Sequence, residues 1–356
     1  MTLVAVHFLA FSLVAVAVFW ALPRSLGEAA VVGVTLLAMA LASPLAALWL
    51  LATTLATPLV LRVGQVTDRR GPVVVGWCVL LAFGLFASRE VPAVLWIGGA
   101  YFTLRHIHVA IDWYLGRLAA PGLWQYARYQ LFLPVLLAGP IHRYQHFERE
   151  VSRRHWHSSE FYVGAERLLL GAFTVIVTSF VYDKFALGYA TFVPPEYPFL
   201  RSWAVSAIFW VYLYLSFEGL TSVALGLSRM MGLKLEENFD RPWAAAHLTD
   251  FWMRWHRTLT HWSRDYIFRP VNAATRQPWL AAIAALLFVG LWHDTTIYFV
   301  CWGLWQGLGV VITQVVRGLR PPSALEPLAP WVGRLSVPLW LSLTGPVVKL
   351  VAGVSP

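Results

Sequence analysis

The sequence predicts an all-α polytopic membrane protein, with about ten or eleven transmembrane helices and further re-entrant or interfacial helices between them. Three observations predict it. Hydrophobic residues fill 58% of the 356 positions and charged residues only 13%, about half the charged share of a soluble domain. Long apolar runs recur from one end of the chain to the other. Some are long enough for two passes: Ala29–Leu61 carries no charge, and one crossing needs about 20 residues, so a turn near Ser43 and Pro44 is expected inside it.

The first run, Thr2–Pro23, meets only His7 before Arg24. No Lys or Arg precedes it as a basic n-region, and it exceeds the roughly 7–15 apolar residues of a signal-peptide core. A retained first helix is expected near 2–22. The following spans are expected near 27–43, 45–62, 72–88, 91–111, 123–139, 161–182, 198–217, 218–232, 278–292, 296–316 and 330–352, some of them as half-helices. No linker, repeat or low-complexity tract interrupts the series, so residues 1–356 are expected to form one integral membrane domain.

The net charge is +9. Its cations are spread among short loops, with Arg62, Arg69 and Arg70 in one cluster and Arg317 and Arg320 in another. Cytoplasmic loops of membrane proteins carry such an excess, so nucleic acid is not an expected partner. Cys78 and Cys301 each sit within an apolar run, far apart in sequence, and suggest no disulfide framework. No Cys pattern or His-Glu-x-x-His motif points to zinc, and no metal is expected.

Two stretches break the apolar pattern. His142–Arg167 is polar and rich in histidine. Asn238–Trp279 mixes aromatic residues with Arg241, Arg254, Arg257, Arg264, Arg269 and Arg276, and with Asp240, Asp250 and Asp265. Each charge at a bilayer centre costs roughly 2.5–3.5 kcal/mol on the insertion scale. This stretch must therefore lie at an interface or fold into a protein-lined cavity.

Within it, Thr249 and Asp250 form a reasonable helix start and Pro270 a stop. Trp252, Trp255, His256, Leu259, Trp262, Ser263 and Tyr266 then fall on one helical face, while Arg254, Arg257, Thr258, His261, Arg264 and Asp265 fall largely on the other. Such a helix is either interfacial, its aromatics part of the membrane belt, or the lining of a tunnel with His256 on the functional face. His293 stands at the junction of two apolar runs, Ala281–Trp292 and the one reaching Val316. Alone, it reads more often as a satisfied structural imidazole than as a catalyst, although ionisable groups at depth are candidates for function. Asp294 is not thereby its partner, since neighbouring side chains on a helix diverge.

These residues carry a resemblance. ENFDRPW (Glu237–Trp243), FWMRWHRTLTHWSRDYIFRPV (Phe251–Val271) and GLWHDTTIYFVCWGLWQG (Gly290–Gly307) resemble the membrane-bound O-acyltransferases. The likeness is to the bacterial branch that O-acetylates alginate and D-alanylates teichoic acids. IGGAYFTLRHIHVAIDWYLG (Ile97–Gly116), LFLPVLLAGPIHRYQHF (Leu131–Phe147) and LSFEGLTSVALGLSRMMGLKL (Leu215–Leu235) follow the family's order, so the likeness covers about 97–307. By this resemblance His293 holds the position of the catalytic histidine and His256 that of the second motif histidine. The resemblance further implies helices around a central tunnel, entered by the acyl donor from the cytoplasm and by the acceptor from the opposite side. No cofactor is expected to be bound; the donor is an acyl-CoA or an acyl-carrier-protein thioester.

The chemistry is coherent with that expectation. A neutral imidazole can take the proton of an acceptor hydroxyl as it attacks a thioester carbonyl, an effect worth about 10²–10⁴ in rate. Asn238, Trp255, Trp262, Arg264, Asp265, Tyr266 and Trp292 are the candidate substrate-binding residues, the tryptophans shaping the tunnel around a short acyl group. Arg257, Arg264 or Arg269 could meet donor phosphates, or serve only as cationic loop residues. The chain departs from the family at Asp294, where a small or amide residue is common, at Gln306, where a histidine is, and at Glu218, where an aspartate is. The expected activity is O-acylation of an extracytoplasmic or membrane-proximal hydroxyl, such as one on a cell-envelope polysaccharide, from the bacterial inner membrane. The rival is a conduit that hands the acyl group to a separate extracytoplasmic transferase; a non-catalytic scaffold is a third reading. Membrane lipid surrounds the chain in each case.

Overall fold

The computed structural model describes residues 2–88, 98–136, 138–318 and 329–353. Among these the ordered elements are helical. Seven helices are long and apolar enough to cross a membrane, and Val6–Ala21 and Pro278–His293 are shorter apolar helices. The chain is an all-α, multi-pass membrane protein.

The N-terminal runs form α1 (Thr2–Ala21), α2 (Arg24–Ala42) and α3 (Pro44–Val66). The turn expected near Ser43 is present: Ser43 is extended and its hydroxyl accepts a hydrogen bond from Ala46 N at 3.3 Å, while Pro44 occupies a first-turn position that needs no N–H. Next come α4 (Arg70–Ala87) and α5 (Gly99–Tyr114). Of the span expected at 91–111, residues 91–97 lie outside the described residues, as does Arg320.

Two expected spans are arranged differently. The segment near 123–139 is not a single helix but α6 (Leu123–Gln130) followed by a 3-10 turn at Leu133–Val135. Pro134 has no N–H to donate to Gln130 O in a continuing α-helix, which accounts for the break after Gln130. Conversely, 198–217 and 218–232 merge. After α7 (Tyr144–Arg153) and α8 (Ser158–Phe192), the chain forms α9 (Pro198–Met230), 33 residues without interruption. Glu218 and Gly219 do not stop this helix, which has no proline at that point.

The chain divides into two compact units. One contains residues 1–172 and 220–236; the other contains 173–219 and 237–356. In the first, α1 packs on α2, and α3 on α2, α4, α5 and α6. The ends of α8 and α9 within this unit cross backbone to backbone. A Cβ on Gly164 would lie 2.7 Å from Gly226 O, and one on Gly226 2.6 Å from Gly164 O, so any larger residue would force the helices apart. Glu28, nearly buried, is held by Arg128 at 2.8 Å and Arg154 at 3.0 Å.

The second unit contains α10 (Leu248–Arg254), α11 (Arg257–Ser263), α12 (Arg269–Thr275), α13 (Pro278–His293), α14 (Ile297–Gly318) and α15 (Ala329–Ala352). Three glycines bring α13 and α14 together. A Cβ on Gly290 would lie 2.3 Å from Phe299 O, one on Gly303 2.8 Å from Leu286 O, and one on Gly307 2.9 Å from Ile283 Cα. α15 packs antiparallel to α14, with Gln306 Nε2 donating to Thr344 Oγ1 at 2.9 Å and Trp305 stacked on Trp340 at 3.9 Å.

Candidate active site

The helix expected from Thr249 to Pro270 is broken at His256. Trp255 is extended (φ −92°, ψ 129°) and His256 is left-handed (φ 42°, ψ 52°). A non-glycine residue there costs on the order of 1–3 kcal/mol and persists only where its surroundings hold it. The segment at Asn238–Asp240 does so. Asp240 N donates to Arg254 O at 3.0 Å, Arg257 N donates to Asn238 O at 2.8 Å, and Thr258 Oγ1 donates to Asn238 Oδ1 at 2.6 Å. Asn238 therefore takes up polar groups that a continuous helix would have paired within itself.

Pro270, expected as a stop, instead opens α12. The chain passes through it by way of a π-turn over Arg264–Phe268, in which Arg269 N donates to Arg264 O; a wider turn absorbs the donor that proline lacks. The expected face survives both irregularities. Trp252, Trp255, His256, Leu259, Trp262, Ser263 and Tyr266 are all buried.

His293 is the last residue of α13, so the glycine-paved contact with α14 fixes its height. Asp294 is extended, and its Oδ1 accepts Thr296 N at 3.1 Å. This carboxylate shapes the turn into α14.

His256 and His293 line one cavity of about 390 Å3. Its wall is mostly aromatic: Trp210, Phe217, Trp252, Trp255, Phe299 and Trp302 all contribute. Phe217 meets the His256 ring edge-on at 4.8 Å, and Phe299 stacks on His293 at 5.7 Å. Trp292 stands beside both imidazoles, at 6.1 Å from His256 and 4.8 Å from His293. His256 is 4% exposed. Burial, and after it the neighbouring His293, pushes the His256 imidazole down from its usual 6.5 to about 3, because an apolar cavity disfavours a first positive charge and still more a second. His256 is neutral at ordinary pH.

The other expected residues separate into groups. Trp255 lines the cavity. Asn238 is fully buried and braces the His256 backbone. Trp262 stacks on Phe288 at 5.1 Å and packs on Tyr266 at 4.9 Å, away from the cavity lining. Arg264 and Arg269 each pair with Asp265 at 3.0 Å, also outside it. The sequence reading missed the contribution of α9 and α15, including Ser202, Ser206, Thr344 and Lys349. Lys349 left one signal, an ionisable residue within an apolar run. Among the described residues, no group of three His, Cys, Asp or Glu is placed to hold a metal ion.

The geometry is that of a multi-pass helical chain in which two imidazoles line one aromatic-walled cavity. The family model described as MBOAT, the membrane-bound O-acyltransferase family, matches residues 101–341, and the chain belongs to that family. It is similar to the protein named "Probable alginate O-acetylase AlgI" of Pseudomonas aeruginosa, with 29% identity over 71% of this chain and 49% of the relative. It is 29% identical to the teichoic acid D-alanyltransferase of Streptococcus thermophilus, over 65% of this chain and 61% of that protein. The corresponding Bacillus subtilis protein is 30% identical over 60% and 58%. The chain spans about half the length of the alginate relatives it matches.

Proposed function

We propose that this chain is an O-acyltransferase of the bacterial inner membrane, moving a short acyl group such as acetyl from a cytoplasmic thioester to a hydroxyl of an extracytoplasmic acceptor, such as a cell-envelope polysaccharide. Family membership and the names of the relatives support the reaction class. The single observation that carries the site assignment is the shared cavity of His256 and His293. The donor is acyl-CoA or an acyl-carrier-protein thioester.

His293 is the general base. Its neutral imidazole takes the proton as the acceptor oxygen bonds to the thioester carbonyl carbon; collapse then breaks the carbon–sulfur bond, and the thiolate leaves with a proton. His256, held neutral, has one N–H to donate and supplies a hydrogen bond to the carbonyl oxygen as charge gathers there. With His256 uncharged, the imidazole pair carries at most the one positive charge that His293 acquires. The aromatic wall keeps water from intercepting the thioester.

The test is acetyl transfer from radiolabelled acetyl-CoA to a hexuronate oligosaccharide by protein reconstituted in lipid discs. Wild type labels the oligosaccharide, and His293→Ala loses about 10²–10⁴ of the rate. Transfer at the wild-type rate by His293→Ala would remove the base. In sealed vesicles, acetyl crossing without incorporation would replace the enzyme with a conduit serving a partner transferase.

A further inference from the structure

Among the described residues, the histidine-lined cavity has a single Lys, Arg, Asp or Glu in its wall, Lys349. The same lysine lines an outer cavity of about 370 Å3, together with Pro195, Pro198, Arg201, Ser202 and Val205. Ser202 and Val205 are also common to both, so Lys349 stands where one opens into the other. The two charged residues of the outer cavity, Arg201 and Lys349, are both cationic. Lys349 makes no ion pair among the described residues.

Its height follows from helix register. Gly309 lies against Trp340, and Gln306 bonds to Thr344; continuing that antiparallel register sets Lys349 level with about Cys301 of α14. Gly290 against Phe299 and Gly303 against Leu286 set His293 level with about Thr296. The two are therefore separated by roughly 7 Å along α14, at a rise of about 1.5 Å per residue. One monosaccharide bridges such a separation. The position is also anchored. Gly345 N donates to Ser206 Oγ at 3.1 Å, fixing α15 on α9 one turn before Lys349.

We propose that Lys349 binds one anionic group of the acceptor, a carboxylate or phosphate close to the hydroxyl that is acylated. This rests on the acyl-transfer reading above and adds the acceptor's chemical class and the residue that selects it. The end of the hairpin decides between acceptor and donor. α14 carries Arg317 in its last turn, the cationic end that favours the cytoplasm, and Lys349 lies at the opposite end of the α14–α15 pair. The thioester arrives from the side of Arg317, whereas the anion met by Lys349 comes through the outer cavity. An ammonium is a point charge without a preferred fork geometry, so it suits either anion and reads charge more than shape. A lysine that merely extends to the membrane surface would confer no such selectivity.

The test compares a hexuronate oligosaccharide with its carboxyl-reduced, neutral counterpart by calorimetric binding to the full chain in lipid discs. Wild type prefers the charged probe. Lys349→Gln lowers the charged-to-neutral affinity ratio about tenfold, equivalent to about 1.4 kcal/mol; Lys349→Arg restores it, and Lys349→Glu lowers it further. An unchanged ratio in Lys349→Gln, no preference in wild type, or a raised KM for acetyl-CoA in place of the lost ratio would each overturn the proposal. Loss of the ratio in a wild-type background that shows no acetyl transfer would retire the enzymatic reading and leave Lys349 as the anion site. An unchanged ratio alongside intact transfer would do the reverse.

Discussion

Histidines are held differently in the two units of this molecule: three are buried among polar groups in the first, whereas in the second His256 is buried and His293 is exposed. In the first unit His106, His108 and His142 are fully enclosed. The Tyr126 hydroxyl lies beside His106 Nδ1 and accepts Gln130 Nε2 at 3.0 Å. Tyr144 N donates to His108 Nε2 at 3.2 Å, with Asp112 at 3.5 Å from the other ring nitrogen. Tyr129 donates its hydroxyl to His142 O at 2.8 Å, and the Arg105 guanidinium donates to Tyr129 O. These groups line none of the sizeable cavities described. In the second unit His256 and His293 sit among rings of tryptophan and phenylalanine and face open space. A buried histidine surrounded by polar partners holds helices together. A histidine surrounded by apolar rings beside a cavity is available for a substrate.

The most severe way to break that contrast is to exchange the outcomes of two alanine substitutions. His293→Ala loses at least about 10² in transfer rate while the protein remains in the membrane at its usual level. His106→Ala does the opposite, leaving Tyr126 and Thr57 with a buried gap, so folded protein is lost while activity per folded molecule persists. Fluorescence-detected gel filtration, combined with the rate per folded molecule, separates the two. If His106→Ala folds normally but is inactive, the division between structural and functional histidines fails.

A second substitution sharpens how His293 is placed. Gly303→Val adds a side chain whose Cβ alone would lie 2.8 Å from Leu286 O, and overpacking of this kind costs about 1–3 kcal/mol or more. Thermal stability falls, and kcat falls with it, because α13 moves and carries His293 away from the cavity. Gly33→Ala is the control, since its Cβ would meet nothing within 4 Å; it leaves both quantities unaltered. Equal behaviour of the two variants would remove the helix contact from the account of the site.

In the polar cluster the expected loss is smaller and purely structural. Tyr129→Phe leaves His142 O without its donor, at about 1–3 kcal/mol for an unsatisfied buried group. The midpoint of thermal unfolding drops, while KM and kcat of the surviving protein stay at wild-type values. A change in KM would place this cluster on the substrate path.

Much of the membrane fold was legible because hydropathy depends on local composition. The turn at Ser43, and the boundaries of α2 and α13, could be read directly. The burial of Trp252, Trp255, His256, Leu259, Trp262, Ser263 and Tyr266 was legible from their period alone, even though the helix carrying them breaks. The break itself was not, because it is held by Asn238 and Asp240, some fourteen to twenty residues earlier, and nothing in the local pattern favours a left-handed His256. Motif residues close in sequence also separate in space. Trp262, Arg264, Asp265 and Tyr266 share the sequence neighbourhood of His256, but lie beyond the turn that points His256 inward. Ser202, Thr344 and Lys349 reach the cavity from helices distant in sequence, which only tertiary packing can reveal.

The mildest prediction concerns the proton on His256. Its folded imidazole is held down to about 3 by burial and then by His293, whereas an exposed histidine titrates near 6.5. Between these values the unfolded chain binds a proton that the folded chain refuses. Stability is therefore independent of this group above about pH 6.5 and declines as pH falls toward 3. By pH 5.5 the loss attributable to His256 is on the order of 1 kcal/mol. Other groups also titrate in this range, so the measurement is the difference in unfolding midpoint between wild type and His256→Asn, followed from pH 8 to 5.5. Asparagine tolerates the left-handed backbone and carries no titrating proton. The wild type should lose stability faster on acidification. Parallel curves would mean that the His256 ring can accept a proton where it sits, and the neutral partner to His293 would have to be sought elsewhere in the cavity.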